Sequence, residues 1–189
     1  DEIIIKKRNK KNLVIQSLCN GNPDVDAIFR LMNPKKKNFK FIKNKKFFVS
    51  KKSFVPFNSQ STIWHKDAFP LLYLPVTCTF RATDIWRSLI AQIILNSDNK
   101  HILFQSPIVF QDRNIHDLMK DFESEVPVHL ESQKIINLLK DIKFKNDPKK
   151  YLDNLLKCYE ILIKNKIFKK EEIFYLKAWI SDFKRINFK

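Results

Sequence analysis

The sequence FRATDIWRSL, residues 80–89, places a carboxylate where a helix is expected to begin. Apolar residues then recur at helical spacing, which predicts an apolar face, with Asp84, Arg87 and Ser88 on the opposite stripe. A helix N terminus keeps such a carboxylate ionised, so it could act as a general base on a hydroxyl or help to hold a cation. Aspartate is also simply favoured in a first turn, where it could pair with Arg87. From the residues alone, both roles stay open and the structural one is simpler.

A second acidic element is the D-x-D pair formed by Asp24 and Asp26 in NPDVDAIFRL. Two carboxylates at this spacing can hold a divalent metal whose open positions take diphosphate oxygens. Asp24 follows an Asn-Pro dipeptide, however, where it could equally cap a turn or a helix. The pair is therefore a candidate metal site with a structural alternative.

Three neutral polar residues, Asn58, Ser59 and Gln60, precede an apolar stretch. Their amides and hydroxyl suit hydrogen bonds to a sugar hydroxyl or a nucleotide edge. The ring of Trp64 or Trp86 could stack on a bound ring. A polar turn explains the same three residues more simply.

The chain contains a single glycine, Gly21. Neither a P-loop nor a G-x-G-x-x-G turn can be built with one glycine, because both need several positions with positive φ or close approach to phosphate. This argues against P-loop ATPases, kinases and Rossmann dehydrogenases. The three cysteines are far apart and the four histidines form no H-E-x-x-H, so the sequence carries no recognisable zinc or redox motif.

The formal net charge is +16, and 30 of the 36 basic residues are lysines. A basic surface attracts phosphates, and the phenylalanines between the lysines of residues 34–52 could stack on single-stranded nucleic acid. Arginine, which reads guanine edges, is scarce, so base-specific recognition is disfavoured. We interpret the lysines as solvated charge and residues 34–52 as edge strands or a hairpin with inward rings.

The apolar patterns predict an α/β chain. Short strands are expected at residues 61–64, which should be buried, and at 76–80, with a short helix or turn between them and a further strand in ILFQSPIVFQ. Helices are expected at residues 131–142, 149–165 and 171–183. Because these helices carry no internal polar constellation, we place the chemistry before residue 125. No apolar run approaches the roughly 20 residues of a membrane span.

Longer stretches carry a family resemblance. NGNPDVDAIFRL, then FVPFNSQSTIWHKDAFPLLYLPVTCTFRATDIWRSLIAQ, QDRNIHDLMKDFESEVP and EEIFYLKAWISDF resemble the STELLO-type glycosyltransferases in order and spacing. The ordered combination of P-D-V-D-A, P-F-N-S-Q and D-I-W-R-S is specific, whereas no single element is. More faintly, the chain is similar to the reversibly glycosylated polypeptides, the UDP-arabinopyranose mutases, which share a P-D-x-D-A element and a D-x-W helix start.

The resemblance implies the C-terminal part of a GT-A-like fold, a mixed sheet flanked by helices. Residues 1–125 would form its acceptor-side part and residues 126–189 a helical extension. It also implies a nucleotide-sugar donor, expected to be a UDP-sugar, bound in the intact enzyme through Mn²⁺ or Mg²⁺. In relatives an acidic motif lies upstream of P-D-V-D-A, and we expect it to precede this chain. Asp24 and Asp26 should then line the acceptor side or support the sheet, and no cofactor is expected from this chain alone.

For Asp84 the resemblance implies an active-site role, because D-I-W-R-S stands where GT-A-like enzymes often place a catalytic base or a sugar contact. The expected substrate contacts, which would hold phosphate, position the carboxylate or shape the pocket, are Asn58, Gln60, Arg81, Trp86 and Arg87.

An alternative of a different class is a non-catalytic scaffold, derived from a glycosyltransferase, that binds a protein partner through its helical end. A nucleic-acid-binding module built on residues 34–52 is a third and less favoured hypothesis. The resemblance implies a parent protein in the Golgi lumen, with membrane attachment only through segments outside this chain; a cytoplasmic location stays open. Both carbohydrate and protein stay open as the acceptor.

Overall fold

The computed structural model of the protein describes residues 12–36, 38–50 and 53–186. Its strands and α-helices, in chain order, are β1 (Val14–Gly21), α1 (Ala27–Met32), β2 (Lys46–Phe48), β3 (Thr62–Trp64), α2 (Thr83–Ser97), β4 (Leu103–Gln111), α3 (Leu118–Leu139), α4 (Tyr151–Lys164) and α5 (Glu172–Arg185). Short 3-10 segments lie at Lys66–Leu72, Phe80–Ala82 and Pro148–Lys150. Residues 3–5, a short apolar segment in the sequence, lie outside the described residues.

The strands form one four-stranded sheet in the order β2-β4-β1-β3. The central strands β1 and β4 are parallel, with Ile15 opposite Leu103 and Gly21 opposite Gln111. The edge strands β3 and β2 are antiparallel to β1 and β4 respectively. Parallel neighbours need a crossover, which here includes α2. The expected α/β fold, a mixed sheet flanked by helices, is confirmed.

Helix α2 is the most deeply buried element, and residues 86–95 are all buried. The predicted helix is confirmed, but Arg87 and Ser88 of its polar stripe are buried as well as its apolar face. Ser88 Oγ accepts a hydrogen bond from Phe57 N at 3.0 Å, and Gln92 Oε1 accepts one from Val55 N at 3.0 Å. The stripe therefore holds an irregular segment of chain on α2, where no sheet partner satisfies these N–H groups.

Two strand predictions need correction. The strand at residues 62–64 exists, but it is an edge strand and Ile63 is 49% exposed, so the expectation of burial is wrong. Residues 76–80 form no strand; they turn into the 3-10 segment Phe80–Ala82. Their alternating β-formers suggested a strand, yet the N–H groups of Val76 and Thr77 bind the carboxylate of Glu172.

Glu172 is a fully buried carboxylate at the start of α5. Its oxygens accept hydrogen bonds from Tyr73 Oη at 2.5 Å, Thr77 N at 2.7 Å and Val76 N at 3.0 Å. Burial, and then the hydrogen bond and charge of Glu172, raise the pKa of the Tyr73 hydroxyl well above its usual range. The turn after the first 3-10 segment is thereby fastened to the helical end of the chain.

The C-terminal helices follow the predicted pattern at α4 and α5, whose ends lie within about two residues of expectation. Helix α3 begins much earlier than residue 131, at Leu118, and contains Pro127. Asp117 caps it by accepting from the N–H groups of Met119 and Lys120. Helix α3 therefore continues past residue 125, where we predicted the boundary between the acceptor-side part and the helical extension. That boundary stays a prediction.

Residues 34–52 contribute the edge strand β2, which confirms part of the expectation for this segment. Phe47 stacks on Phe104 of β4, with ring centroids 5.3 Å apart, and Phe39 stacks on Phe41 at 6.1 Å. The lysines of this segment that the structure describes are exposed. Rings packed inward and lysines in water are the arrangement expected of an edge strand. Within the described ranges, no helix combines the length and the apolar character that crossing a membrane requires.

Candidate functional site

A cavity of about 890 Å³ opens between the turn after β1, the loop before β3, the start of α2 and one face of α3. Of the eight site residues proposed from the sequence, six line it: Asp24, Asp26, Asn58, Gln60, Arg81 and Asp84. Trp86 and Arg87 do not. A concave site of this size with a few convergent polar groups is the usual form of a small-molecule site.

Asp84 occupies the first turn of α2 and is half-buried in the cavity wall. Its Oδ2 accepts a hydrogen bond from the backbone N–H of Ser59 at 2.7 Å. No other described residue donates a hydrogen bond to this carboxylate, so a residue that lines the cavity keeps an oxygen with no hydrogen-bond donor in the protein.

Arg87 lies behind the loop of residues 58–60 rather than in the cavity. Its Nη2 donates to Ser59 Oγ at 3.1 Å, and its guanidinium lies 5.2 Å from the ring centre of Trp64. Burial lowers the pKa of Arg87, and the nearby carboxylate of Asp84 partly offsets that effect. In this position Arg87 supports the loop and does not reach a ligand in the cavity.

Trp86 lies in the core, 3% exposed. Its ring meets Phe168 edge to face, with centroids 5.6 Å apart, and thus joins α2 to the segment between α4 and α5. A ring in this place cannot stack on a ligand in the cavity.

Arg81 belongs to an ion-pair cluster of which two members, Arg81 and Asp24, line the cavity. Arg81 and Arg113 each contact both Asp24 and Asp121, at distances from 2.6 to 3.2 Å. His116 Nδ1 lies 3.2 Å from Asp121. Burial would raise the pKa of Asp121, but the hydrogen bond and charge of Arg81, with His116 and Arg113, outweigh it and hold that pKa below its usual value.

The D-x-D pair, Asp24 and Asp26, is engaged by other groups of the protein, and Asp24 belongs to the same ion-pair cluster. Asp24 is neutralised by two guanidinium groups, and Asp26 caps α1 by accepting from Phe29 N at 2.8 Å. Across the part of the chain that the structure describes, no group of three or more His, Cys, Asp or Glu side chains could hold a metal ion. The residues present do not fit a metal here, because the carboxylates are already engaged by cations or backbone N–H groups.

Glu125 is a cavity residue that the sequence did not reveal. It lies on α3, is buried, and accepts from Ala27 N at 2.7 Å through Oε2. Burial raises the pKa of Glu125 despite that hydrogen bond and the charge of Arg81. A helix pattern extended back to residue 118 would have found it, since Glu125 shares a face with Val128 and Ser132, which also line the cavity.

Comparison with known proteins identifies the family of this chain. The sequence profile described as STELLO glycosyltransferases matches residues 81–189, more than half of the chain. The chain belongs to the STELLO glycosyltransferase family. The resemblance expected from the motifs is thereby confirmed, whereas the fainter similarity to the UDP-arabinopyranose mutases stays a prediction.

Two relatives from Arabidopsis thaliana align with nearly the whole chain. The probable glycosyltransferase STELLO2 is 22% identical over 184 residues, which is 94% of this chain and 23% of the relative. The probable glycosyltransferase STELLO1 is 23% identical over 176 residues, which is 91% of this chain and 22% of the relative. The chain thus spans about a quarter of the length of these STELLO proteins.

Proposed function

We propose that the cavity is a glycosyl-transfer site that takes a sugar from a nucleotide sugar, expected to be a UDP-sugar, and that Asp84 is its general base or sugar contact. The observation that supports this most directly is the half-engaged carboxylate of Asp84 at a helix N terminus in the cavity wall. Family membership makes sugar transfer the reaction class to test first.

In the proposed reaction an acceptor hydroxyl oxygen bonds to the anomeric carbon of the donor sugar. The bond from that carbon to the diphosphate breaks, and the hydroxyl proton passes to the carboxylate of Asp84. Ser59 N fixes one carboxylate oxygen of Asp84 at the first turn of α2. Arg87, through Ser59 Oγ, holds the loop that sets this geometry.

Arg81 is the cavity residue best suited to the departing diphosphate. It lines the cavity and carries a permanent positive charge, anchored by Asp121 at 2.6 Å. Negative charge grows on the leaving group as the glycosidic bond breaks, so a fixed cation stabilises the transition state. Gln60, which also lines the cavity and accepts from Asp24 N through Oε1, keeps its amide Nε2 for a sugar hydroxyl, and Asn58 fixes the neighbouring loop by donating to the carbonyl of Asp24.

Metal dependence and a Golgi location belong to the same proposal. Mn²⁺ or Mg²⁺ would neutralise the diphosphate when bound, and the described residues of this chain do not supply its ligands. The lumen of the Golgi is where we expect the protein to meet nucleotide sugars.

The test uses the full-length protein as its own cells produce it. Its thermal unfolding is measured with a panel of UDP-sugars and Mn²⁺. Bound donor should raise Tm, and EDTA should remove the rise. Asp84→Asn should lower the rate of UDP release by about 100-fold or more, as loss of a general base does. Asp153→Asn is the matched control, because Asp153 occupies the first turn of α4 outside the cavity.

No shift in Tm with any UDP-sugar would contradict the enzyme and favour the non-catalytic scaffold. A shift with unchanged turnover in Asp84→Asn would keep the donor site and remove Asp84 from the chemistry.

A further inference from the structure

Phe80 is a large aromatic residue held out into water at the mouth of the cavity. It lines the cavity and is 86% exposed. The neighbouring apolar residues Leu74 and Val76 are also exposed, and Leu74 lines the cavity with it. Exposed apolar surface at the rim of a polar cavity commonly marks a ligand-binding surface.

The backbone on both sides of Phe80 is fixed, so the ring cannot withdraw without breaking contacts. Thr79 Oγ1 donates to the carbonyl of Ser124 at 2.6 Å, and Thr83 Oγ1 donates to the carbonyl of Phe80 at 2.8 Å. Arg81, next in the chain, is paired to Asp121 at 2.6 Å. The exposed ring is therefore presented by a rigid 3-10 turn rather than by a loose loop.

Neutral polar groups line the same cavity. Gln60 accepts from Asp24 N through Oε1, and Gln133 donates to Asn137 through Nε2. Among the described residues nothing hydrogen-bonds to the other end of either amide. One donor and one acceptor are thus available in the cavity that Phe80 also lines.

A pyranose sugar matches this combination. The C–H bonds on one face of its ring make an apolar surface that lies against an aromatic face, while the hydroxyls around its edge take hydrogen bonds from amides.

We propose that Phe80 is the stacking surface for a pyranose ring of the acceptor, and that the acceptor of this site is a saccharide. The role of this saccharide as an acceptor rests on the proposed transfer function, but binding of a saccharide to Phe80 can be observed without any donor.

The experiment is ligand-observed NMR saturation transfer to maltohexaose, chitohexaose, xylohexaose and mannohexaose, with no nucleotide present. At least one should bind at millimolar concentration, with transfer strongest at the C–H protons of one ring face. Phe80→Ala should raise its Kd about three- to tenfold, the size expected for loss of one aromatic contact. Phe80→Tyr should restore binding, which a merely structural role would not explain.

Phe174→Ala is the matched control, because Phe174 is 70% exposed on α5 and does not line the cavity. It should bind the saccharide as the wild type does. Absence of binding by all four saccharides, or equal loss in both alanine variants, would overturn the proposal.

Two other outcomes also overturn it. If Phe80→Ala weakens UDP binding and leaves saccharide binding unchanged, the ring contacts the donor base. If a serine- and proline-rich peptide receives the Phe80-dependent transfer and the saccharides do not, the acceptor is a polypeptide. Failure of the donor assay, with saccharide binding intact, would remove the transfer function but keep the stacking surface.

Discussion

The backbone N–H of Ser59 and the Oδ2 atom of Asp84 lie 2.7 Å apart, although the residues are 25 positions apart in the chain. The bond ties the loop of residues 58–60 to the first turn of α2. Arg87, one helical turn further, donates to the side chain of the same serine. The loop and the carboxylate are therefore positioned together, and a change in one should move the other.

Asp84→Ala should cost more stability than Asp84→Asn. An asparagine carbonyl can still accept from Ser59, whereas alanine leaves that N–H without its acceptor. We expect a difference of about 1 kcal/mol in the free energy of unfolding, measured by urea denaturation. Equal losses in both variants would show that this hydrogen bond does not hold the loop.

Glu172→Ala should be among the most destabilising single changes in the chain. It would leave Tyr73 Oη and the N–H groups of Val76 and Thr77 without their buried acceptor. We expect a loss of about 3 kcal/mol or more in urea unfolding. Glu171→Ala, at the exposed neighbouring position, should stay within about 0.5 kcal/mol of the wild type. A small loss at Glu172 would mean that the turn finds other partners.

Glu125→Gln should change how stability depends on pH. The pKa of Glu125 is higher in the folded protein than in the unfolded chain, so the folded state keeps its proton longer. Its contribution is therefore fully present at low pH and is lost as pH rises through the folded pKa. Relative to the wild type, the variant should gain stability as pH rises above about 4.3, the usual pKa of a glutamate in an unfolded chain.

The glutamine in that variant can still accept from Ala27 N, so the comparison isolates the charge. Urea unfolding at a series of pH values measures it, with the exposed Glu123→Gln on the same helix as control. A parallel pH profile for Glu125→Gln and wild type would contradict the raised pKa.

Gly21→Ala should weaken the end of β1. Gly21 has φ +83°, and an added Cβ would lie 2.5 Å from the carbonyl oxygen of Gln111. We expect a loss of about 2 kcal/mol or more in urea unfolding. Gly21→Asn should recover only the conformational part of that loss, because asparagine tolerates positive φ but carries the same Cβ. If alanine costs nothing, the strand end can move away from β4.

Elements with a regular apolar period were predictable. The stripes of α2, α4 and α5 and the strand β4 appear in the structure close to their expected bounds, because burial selects that spacing. The strand predicted at residues 76–80 is wrong because alternation of β-forming residues does not identify which acceptors will bind their backbone N–H groups. Here the acceptor is Glu172, 95 residues after Thr77.

The cavity was predictable only where neighbouring residues form motifs. Asp84, Arg81, Asn58 and Gln60 follow from local patterns and family resemblance, and all four line the cavity. The sequence did not distinguish Glu125 from nearby acidic residues, because Pro127, inside α3, obscured where that helix begins. The pairing of Asp24 with Arg113 is set by the way β1 and β4 meet, which no local pattern encodes.

The link from Glu172 to the turn at residues 73–77 also fixes an order of events during synthesis. Translation delivers the cavity-forming residues before α5, and a folding unit is completed only when the contacts it needs have emerged. The turn at residues 73–77, which includes the cavity residue Leu74, cannot be fastened until Glu172 has left the ribosome. A nascent chain therefore carries this turn unfastened until α5 arrives.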